Sequence, residues 1–424
     1  MQELQAAAGE SENPCLITPA DLHLYRIVTD RRLYKCDETR PGCKKCCNFG
    51  VSCNYGDPNA PDLQTTYHGV DFEAPIKKLP QKQASPLESC FFAGKVEIFG
   101  SVKPGLSRIS DNGDSMIELD NECLGRLDRF ITRTVLSVGP PQTAVIFQSE
   151  MAELVCGYPY LMHMVQAVTA LHDRILSPNP NPYQTRAELY HASRAAALFN
   201  EKLSRPLQAE DRDPLLATAV LLGIASMSWM EASSAEEAWP MTLPKPSDLD
   251  WIRISRNKAA VWDLTDPLRW GGRFKLMAEA QVRNQEAAQI TISRMGLEEL
   301  PGKLLALCEV DEYSTIDSNP YLSALQGLAP AMAVESVRAN LLVLLSFLGR
   351  IDGDYQELLK KRDPRALLLM AYWYAKIKGT MWWLDRRSML EGAAICMYLE
   401  RYHAEELEIL DLLSYPKMRL GLLY

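Results

Sequence analysis

Five of the eleven cysteines fall between residues 36 and 53, and four of them, Cys36, Cys43, Cys46 and Cys53, keep the spacing C-x6-C-x2-C-x6-C, with Cys47 beside Cys46. Cysteines this close in a short polar stretch have three chemical readings: disulfides, a redox pair, or thiolate ligands for zinc. Thiolates are soft and anionic, which suits zinc, and short spacers let a loop wrap a tetrahedron without strain. From Arg26 to Asp57, seven basic residues (Arg26, Arg31, Arg32, Lys35, Arg40, Lys44, Lys45) oppose four acidic ones (Asp30, Asp37, Glu38, Asp57), a local surplus of +3 in a chain whose net charge is −9. A small basic head on a large acidic body is the layout of a nucleic-acid-binding module attached to a second domain. On charge alone, +3 over a stretch of this length is equally the signature of a solvated loop.

The N-terminal run MQELQAAAGESENPC is acidic and lacks the basic-then-apolar order of a signal peptide. No stretch approaches the uninterrupted apolar length that crosses a membrane, so no membrane partner is expected. The chain is therefore expected to be intracellular, where thiols stay reduced and clustered cysteines favour metal over disulfides. The scattered cysteines, Cys15, Cys90, Cys123, Cys156, Cys308 and Cys396, are expected to be free, several of them as small buried hydrophobes.

Enzyme chemistry finds little to stand on. There is no G-x-S-x-G, no H-E-x-x-H, no phosphate-binding glycine loop and no dinucleotide fingerprint, and the reading is "not an enzyme". His163 and His172 lie nine apart in one apolar run. At 3.6 residues per turn they fall on opposite sides of a helix, as two separately packed histidines rather than a ligand pair. Glu400-x-x-His403 is half of a di-iron helix without its second copy, so a solvated helix face is the expectation. Tyr372, Trp373, Tyr374, Trp382 and Trp383 form an aromatic cluster whose first role is core packing; lining a small-molecule site between helices is the second.

These residues must be positioned by four regions. Residues 1–24 hold little that could form a core and are expected to be disordered. Residues 25–56 are the cysteine-rich module. Residues 57–114 read as a linker, with Pro58, Pro61, Pro75, Pro80, Pro86 and Pro104, no sustained period and no heptad run. Residues 115–424 show helical periodicity broken by proline and glycine. Helices are expected at 116–138, 160–176, 184–203, 214–229, 247–264, 273–289, 298–313, 330–347, 364–385 and 389–413. Runs 160–176 and 214–229 are apolar nearly all round, as in packed central helices. Strand-like alternation is nearly absent, so the fold class is all-α: a small cysteine-rich module followed by a large helical domain.

The string KCDETRPGCKKCCNFGVSCNY, with Pro41 two residues before Cys43, resembles the second half of the fungal-type binuclear zinc cluster. In that family six cysteines hold two zinc ions. Cys36, Cys43, Cys46 and Cys53 match the third to sixth positions, while the first two positions carry Arg26 and Thr29. The match begins abruptly near Asp30, the pattern of a misplaced exon boundary or of a truncated variant. In the family the first and fourth cysteines bridge both metals, so the resemblance implies at most one zinc here, on Cys43, Cys46 and Cys53, with Cys36 ahead of Cys47 and His23 as the fourth ligand. It also implies that Arg31, Arg32 and Lys35 lie on the segment that reads a CGG triplet in the major groove, where basic residues suit the O6 and N7 acceptors of guanine. Arg40, Lys44 and Lys45 then contact phosphates. The body resembles the regulatory domain behind such clusters, including regulators of the sterol-uptake type, through the strings YPYLMHMVQAVTALHDR, PKPSDLDWIRI, RDPRALLLMAYWYA and AAICMYLE…LLSYPK. The implied function is a nuclear, sequence-specific regulator of RNA polymerase II transcription. Its implied partners are double-stranded DNA, a small hydrophobic effector and a second copy of the chain. The alternative is a helical ligand- or partner-binding protein whose zinc module is vestigial.

Overall fold

The computed structural model describes residues 108–111 and 115–422. Two four-residue strands, β1 (Arg108–Asp111) and β2 (Ser115–Glu118), pair as a ribbon. Everything described after them is helix and connection, and the body from residue 121 onward belongs to one compact unit.

The first half of the body is built on two helices that proline starts and apolar residues bury. Helix α1 (Asn121–Arg129) runs on through a π turn at Phe130–Thr134 and a 3-10 turn at Val135–Ser137. Helix α2 (Pro141–Leu154) follows, with proline at its first turn. Helix α3 (Pro159–Leu176) also begins on proline, whose fixed φ and missing N–H suit that position. It buries Tyr160, Leu161, Met162, Met164, Val165, Val168 and Leu171, leaving no solvent face over three turns. A tight connection leads to α4 (Arg186–Leu203), the most extensive partner of α3. Helix α5 (Arg212–Ser228) packs on α3 and on α6 (Asp250–Thr265), and α7 is Lys275–Met295.

The second half is organised around α13 (Pro364–Ile377) and α14 (Trp382–Tyr402). Between α7 and α13 lie α8 (Gly302–Leu307), α9 (Leu322–Ala333), the single turns α10 (Leu341–Leu344) and α11 (Ser346–Gly349), and α12 (Gly353–Lys360). Two short helices, α15 (Leu407–Leu412) and α16 (Ser414–Leu420), close the chain against α13 and α14. Asp363 caps α13 by accepting from the Ala366 N–H at 2.9 Å, and Asp352 caps α12 through Tyr355 N–H at 2.8 Å. Helix α14 also packs on α5, which ties the two halves into one core.

Several expected boundaries move, each for a local reason. The helix expected from 116 starts at Asn121 because residues 115–118 pair as strand β2. The helix expected over 298–313 is only α8, since Glu309 takes a left-handed φ of 54° and the Asn319 amide donates to the Cys308 and Glu309 carbonyls. Pro330 lies inside α9 rather than starting a helix. The Gly327 carbonyl, in the turn before it, accepts from Ser346 Oγ at 3.1 Å. The run expected over 364–385 breaks after Ile377, where Gly379 adopts φ 78° and its N–H donates to Asp385 Oδ1 at 2.7 Å. Helices α2, α12 and α16 were not expected at all.

Candidate functional site

The residues singled out for metal and DNA chemistry, Cys36, Cys43, Cys46, Cys53, Arg31, Arg32, Lys35, Arg40, Lys44 and Lys45, lie outside the described residues. Within the described residues no group of three or more His, Cys, Asp or Glu could hold a metal ion. Cys123, Cys156, Cys308 and Cys396 form no disulfide among the described residues, and all but Cys156 are buried. Burial pushes the Cys308 and Cys396 thiols up to about 12 and raises that of Cys156, so these cysteines are protonated hydrophobes rather than thiolate ligands. Arg26 and Thr29 stand where the resemblance would place two further cysteines.

The body histidines separate as the nine-residue spacing requires. His163 Nδ1 lies 2.9 Å from His191 Nδ1, joining α3 to α4, so one ring must donate and the other accept. Burial lowers the His163 pKa to about 3, with His191 and Arg194 adding to the effect. His172 Nδ1 instead meets Thr134 Oγ1 at 3.0 Å, and its ring stacks on Trp382 at 4.3 Å and 11°. His403 pairs with Glu406 and Glu400 with Lys417 on the surface near the end of α14.

The aromatic cluster is core. Trp373 is fully buried, with Trp251 on one side (6.2 Å, 7°) and Phe347 in contact (5.4 Å, 26°), and its Nε1–H donates to the Leu344 carbonyl at 2.8 Å. Tyr372 donates to the Leu412 carbonyl at 3.0 Å, which fastens α15 to α13. Trp382 donates to Ser137 and Trp383 to the Val138 carbonyl. Burying these rings is therefore matched by a partner for each of those polar tips.

A buried polar network beside this cluster escaped the sequence reading. Arg387, one turn before Glu391 on α14, forms a short ion pair with it, and the Tyr374 hydroxyl donates to the other carboxylate oxygen. Arg387 also donates from Nε to the Met227 carbonyl (2.9 Å) and from Nη2 to the Trp229 carbonyl (2.7 Å), satisfying the open C-terminal end of α5. Its guanidinium carbon lies 4.8 Å from the centre of the Trp251 ring. Burial raises the Glu391 pKa, against the opposing pull of Arg387 and the Tyr374 hydrogen bond. R-x-x-x-E at helical spacing was the available signal; its long-range partners on α5 and α6 were not.

Compared with known proteins, the chain is 24% identical over 387 residues to a Zn(2)-C6 fungal-type transcription factor of Gibberella zeae, an alignment covering 84% of this chain and 77% of that protein. The covered share exceeds what residues 115–424 alone could supply, so the similarity extends upstream of the helical body. No family model matches the chain, and no solved structure matches it. Among the described residues no helix is long and apolar enough to cross a membrane.

Proposed function

We propose that this chain is a regulator of transcription of the fungal zinc-cluster class, acting in the nucleus on genes read by RNA polymerase II, and that it is not an enzyme. The observation that carries the proposal is the similarity over 84% of the chain to a protein named as a Zn(2)-C6 fungal-type transcription factor. The cysteine string flanked by Arg31, Arg32, Lys35, Arg40, Lys44 and Lys45 supports it independently.

In this reading Cys43, Cys46 and Cys53, with Cys36 as fourth ligand, hold one zinc, which when bound supplies folding energy to the segment. Arg31, Arg32 and Lys35 are the candidates for guanine edges of a CGG-type site, and Arg40, Lys44 and Lys45 for phosphates. The helical body receives the regulatory input, with a small hydrophobic effector and a second copy of the chain as its candidate partners. Without cysteines at 26 and 29 the DNA contact of this chain is carried mainly by phosphate attraction, which weakens steeply with salt.

The same two positions favour a second reading, in which the body binds a ligand or partner and the cysteine segment is vestigial. Fluorescence anisotropy with a CGG-containing duplex and a scrambled duplex, at two salt concentrations, separates the two. Binding of either duplex that weakens with salt supports the regulator. No binding of either at low salt supports the vestigial module.

A further inference from the structure

At the C-terminal end of α14 a row of side chains is stacked and pinned at both ends. Arg362 holds the Thr242 carbonyl through Nη2, and its guanidinium carbon lies 5.6 Å over the Tyr398 ring. Tyr398 packs on Tyr402 at 4.7 Å between ring centres and lies 6.0 Å from the His403 ring. His403 Nδ1 in turn pairs with Glu406 at 2.5 Å. The contacts thus run in order from a cation, through aromatic rings, to a carboxylate.

Three apolar side chains border this row and face solvent. Leu243, next to Thr242, is 85% exposed, Tyr402 is 59% exposed, and Leu407, next to Glu406, is 75% exposed. Apolar residues exposed singly need no explanation, but three along one pinned row make a patch. Because the row is already held in place, covering it costs little side-chain entropy.

The charge along the patch is polarised. At the Arg362 end stand the exposed Lys361 and, three residues after Thr242, the exposed Lys245, while Lys360 is engaged by Glu357 at 2.5 Å. At the Glu406 end stand the exposed Glu405 and Glu408. The cations nearest that end answer other acids: Arg401 interacts with Glu236, and Lys303, close to Glu408, is taken by Asp411 at 2.6 Å. A patch with a positive end, an apolar middle and a negative end is complementary to itself. Turned about a two-fold axis, each end meets the opposite end of the copy. A partner of one sign would match only half of it.

We propose that this patch is a two-fold contact between the helical bodies of two copies of the chain. Tyr402 and Leu407 lie at its centre, with Lys245 and Lys361 of each copy against Glu405 and Glu408 of the other. The proposal gives a surface to the second copy named above as a candidate partner, rests on that part of the reading, and does not depend on DNA binding.

Sedimentation velocity of the full-length protein over a range of concentrations is expected to show a monomer–dimer equilibrium. Reversing the negative end (Glu405→Lys with Glu408→Lys) or the positive end (Lys245→Glu with Lys361→Glu) is expected to weaken self-association roughly tenfold or more. All four residues are exposed, so the far-ultraviolet circular dichroism should not change. Mixing the two variants is expected to restore the dimer, because each reversed end then meets its complement. Should a variant misfold, the native chain still decides the matter. Carbodiimide cross-linking of a mixture of isotopically light and heavy protein is expected to join Lys245 or Lys361 of one copy to Glu405 or Glu408 of another. A chain that stays monomeric leaves the patch to a different protein and overturns both the proposal and the second copy as partner. A dimer that survives both reversals, a mixture that restores nothing, or cross-linked dimers without these pairs would overturn this surface alone.

Discussion

Arg174 and Glu188 close a two-pronged ion pair between the end of α3 and the start of α4, with Nε–Oε1 at 2.7 Å and Nη2–Oε2 at 3.0 Å. The same carboxylate accepts from the Thr185 backbone N–H and hydroxyl, while Thr185 Oγ1 accepts from the Glu188 N–H, a capping box. One buried side chain thus starts α4 and fastens it to α3. Glu188→Ala leaves Arg174 buried without its partner and is expected to cost about 3–5 kcal/mol in urea unfolding. Thr185→Ala, which removes only the cap, is expected to cost about 1 kcal/mol. Similar losses from the two variants would contradict the double role.

Tyr374→Phe tests the network on α14. The hydroxyl donates to Glu391, which also holds Arg387, and all three are buried. Losing a hydrogen bond to a charged acceptor is expected to cost about 1.5–3 kcal/mol, with the helical signal unchanged before the transition. A neutral result would mean that the carboxylate does not need the hydroxyl.

Acid should loosen the α3–α4 seam through His163. Its folded pKa of about 3 lies below the unfolded histidine value of 6.5, so the unfolded state binds the extra proton between those limits. The associated stability is therefore complete above pH 6.5 and falls as the pH drops toward 3. At pH 5.5 the expected loss is already on the order of 1 kcal/mol from this group. His163→Gln should flatten the slope between pH 7.5 and 5.5; an unchanged slope would assign the effect elsewhere.

The helical body should not depend on metal. Its described cysteines form no disulfide, and no described residues form a metal-ligand cluster. Chelation of the full-length chain is expected to leave the far-ultraviolet circular dichroism nearly unchanged. A large loss of helicity would refute the division into a metal-dependent segment and a self-supporting body.

Much of the fold was legible because α3 and α5 carry apolar runs bounded by Pro159 and by Trp229, and packing helices of that kind need little else to declare themselves. The nine-residue spacing of His163 and His172 was enough to send them to different partners. What stayed hidden depended on contacts distant in sequence. Nothing local to Arg387 announces the carbonyls of Met227 and Trp229, nor does anything near Gly379 announce Asp385 as its acceptor. Pro330 misled because prolines often start helices; here it sits inside α9.

The most direct measurement is zinc per chain together with duplex binding, on the full-length protein and on the variant carrying Arg26→Cys and Thr29→Cys. The native chain is expected to hold at most one zinc tightly and to bind CGG-containing and scrambled duplexes nearly alike, with affinity falling steeply as salt rises. The double variant is expected to hold two and to prefer CGG. If the variant gains neither a second zinc nor a preference for CGG, the descent of this segment from a DNA-reading zinc cluster is contradicted. Two tightly held zinc ions and CGG selectivity in the native chain would contradict the truncated donor set instead.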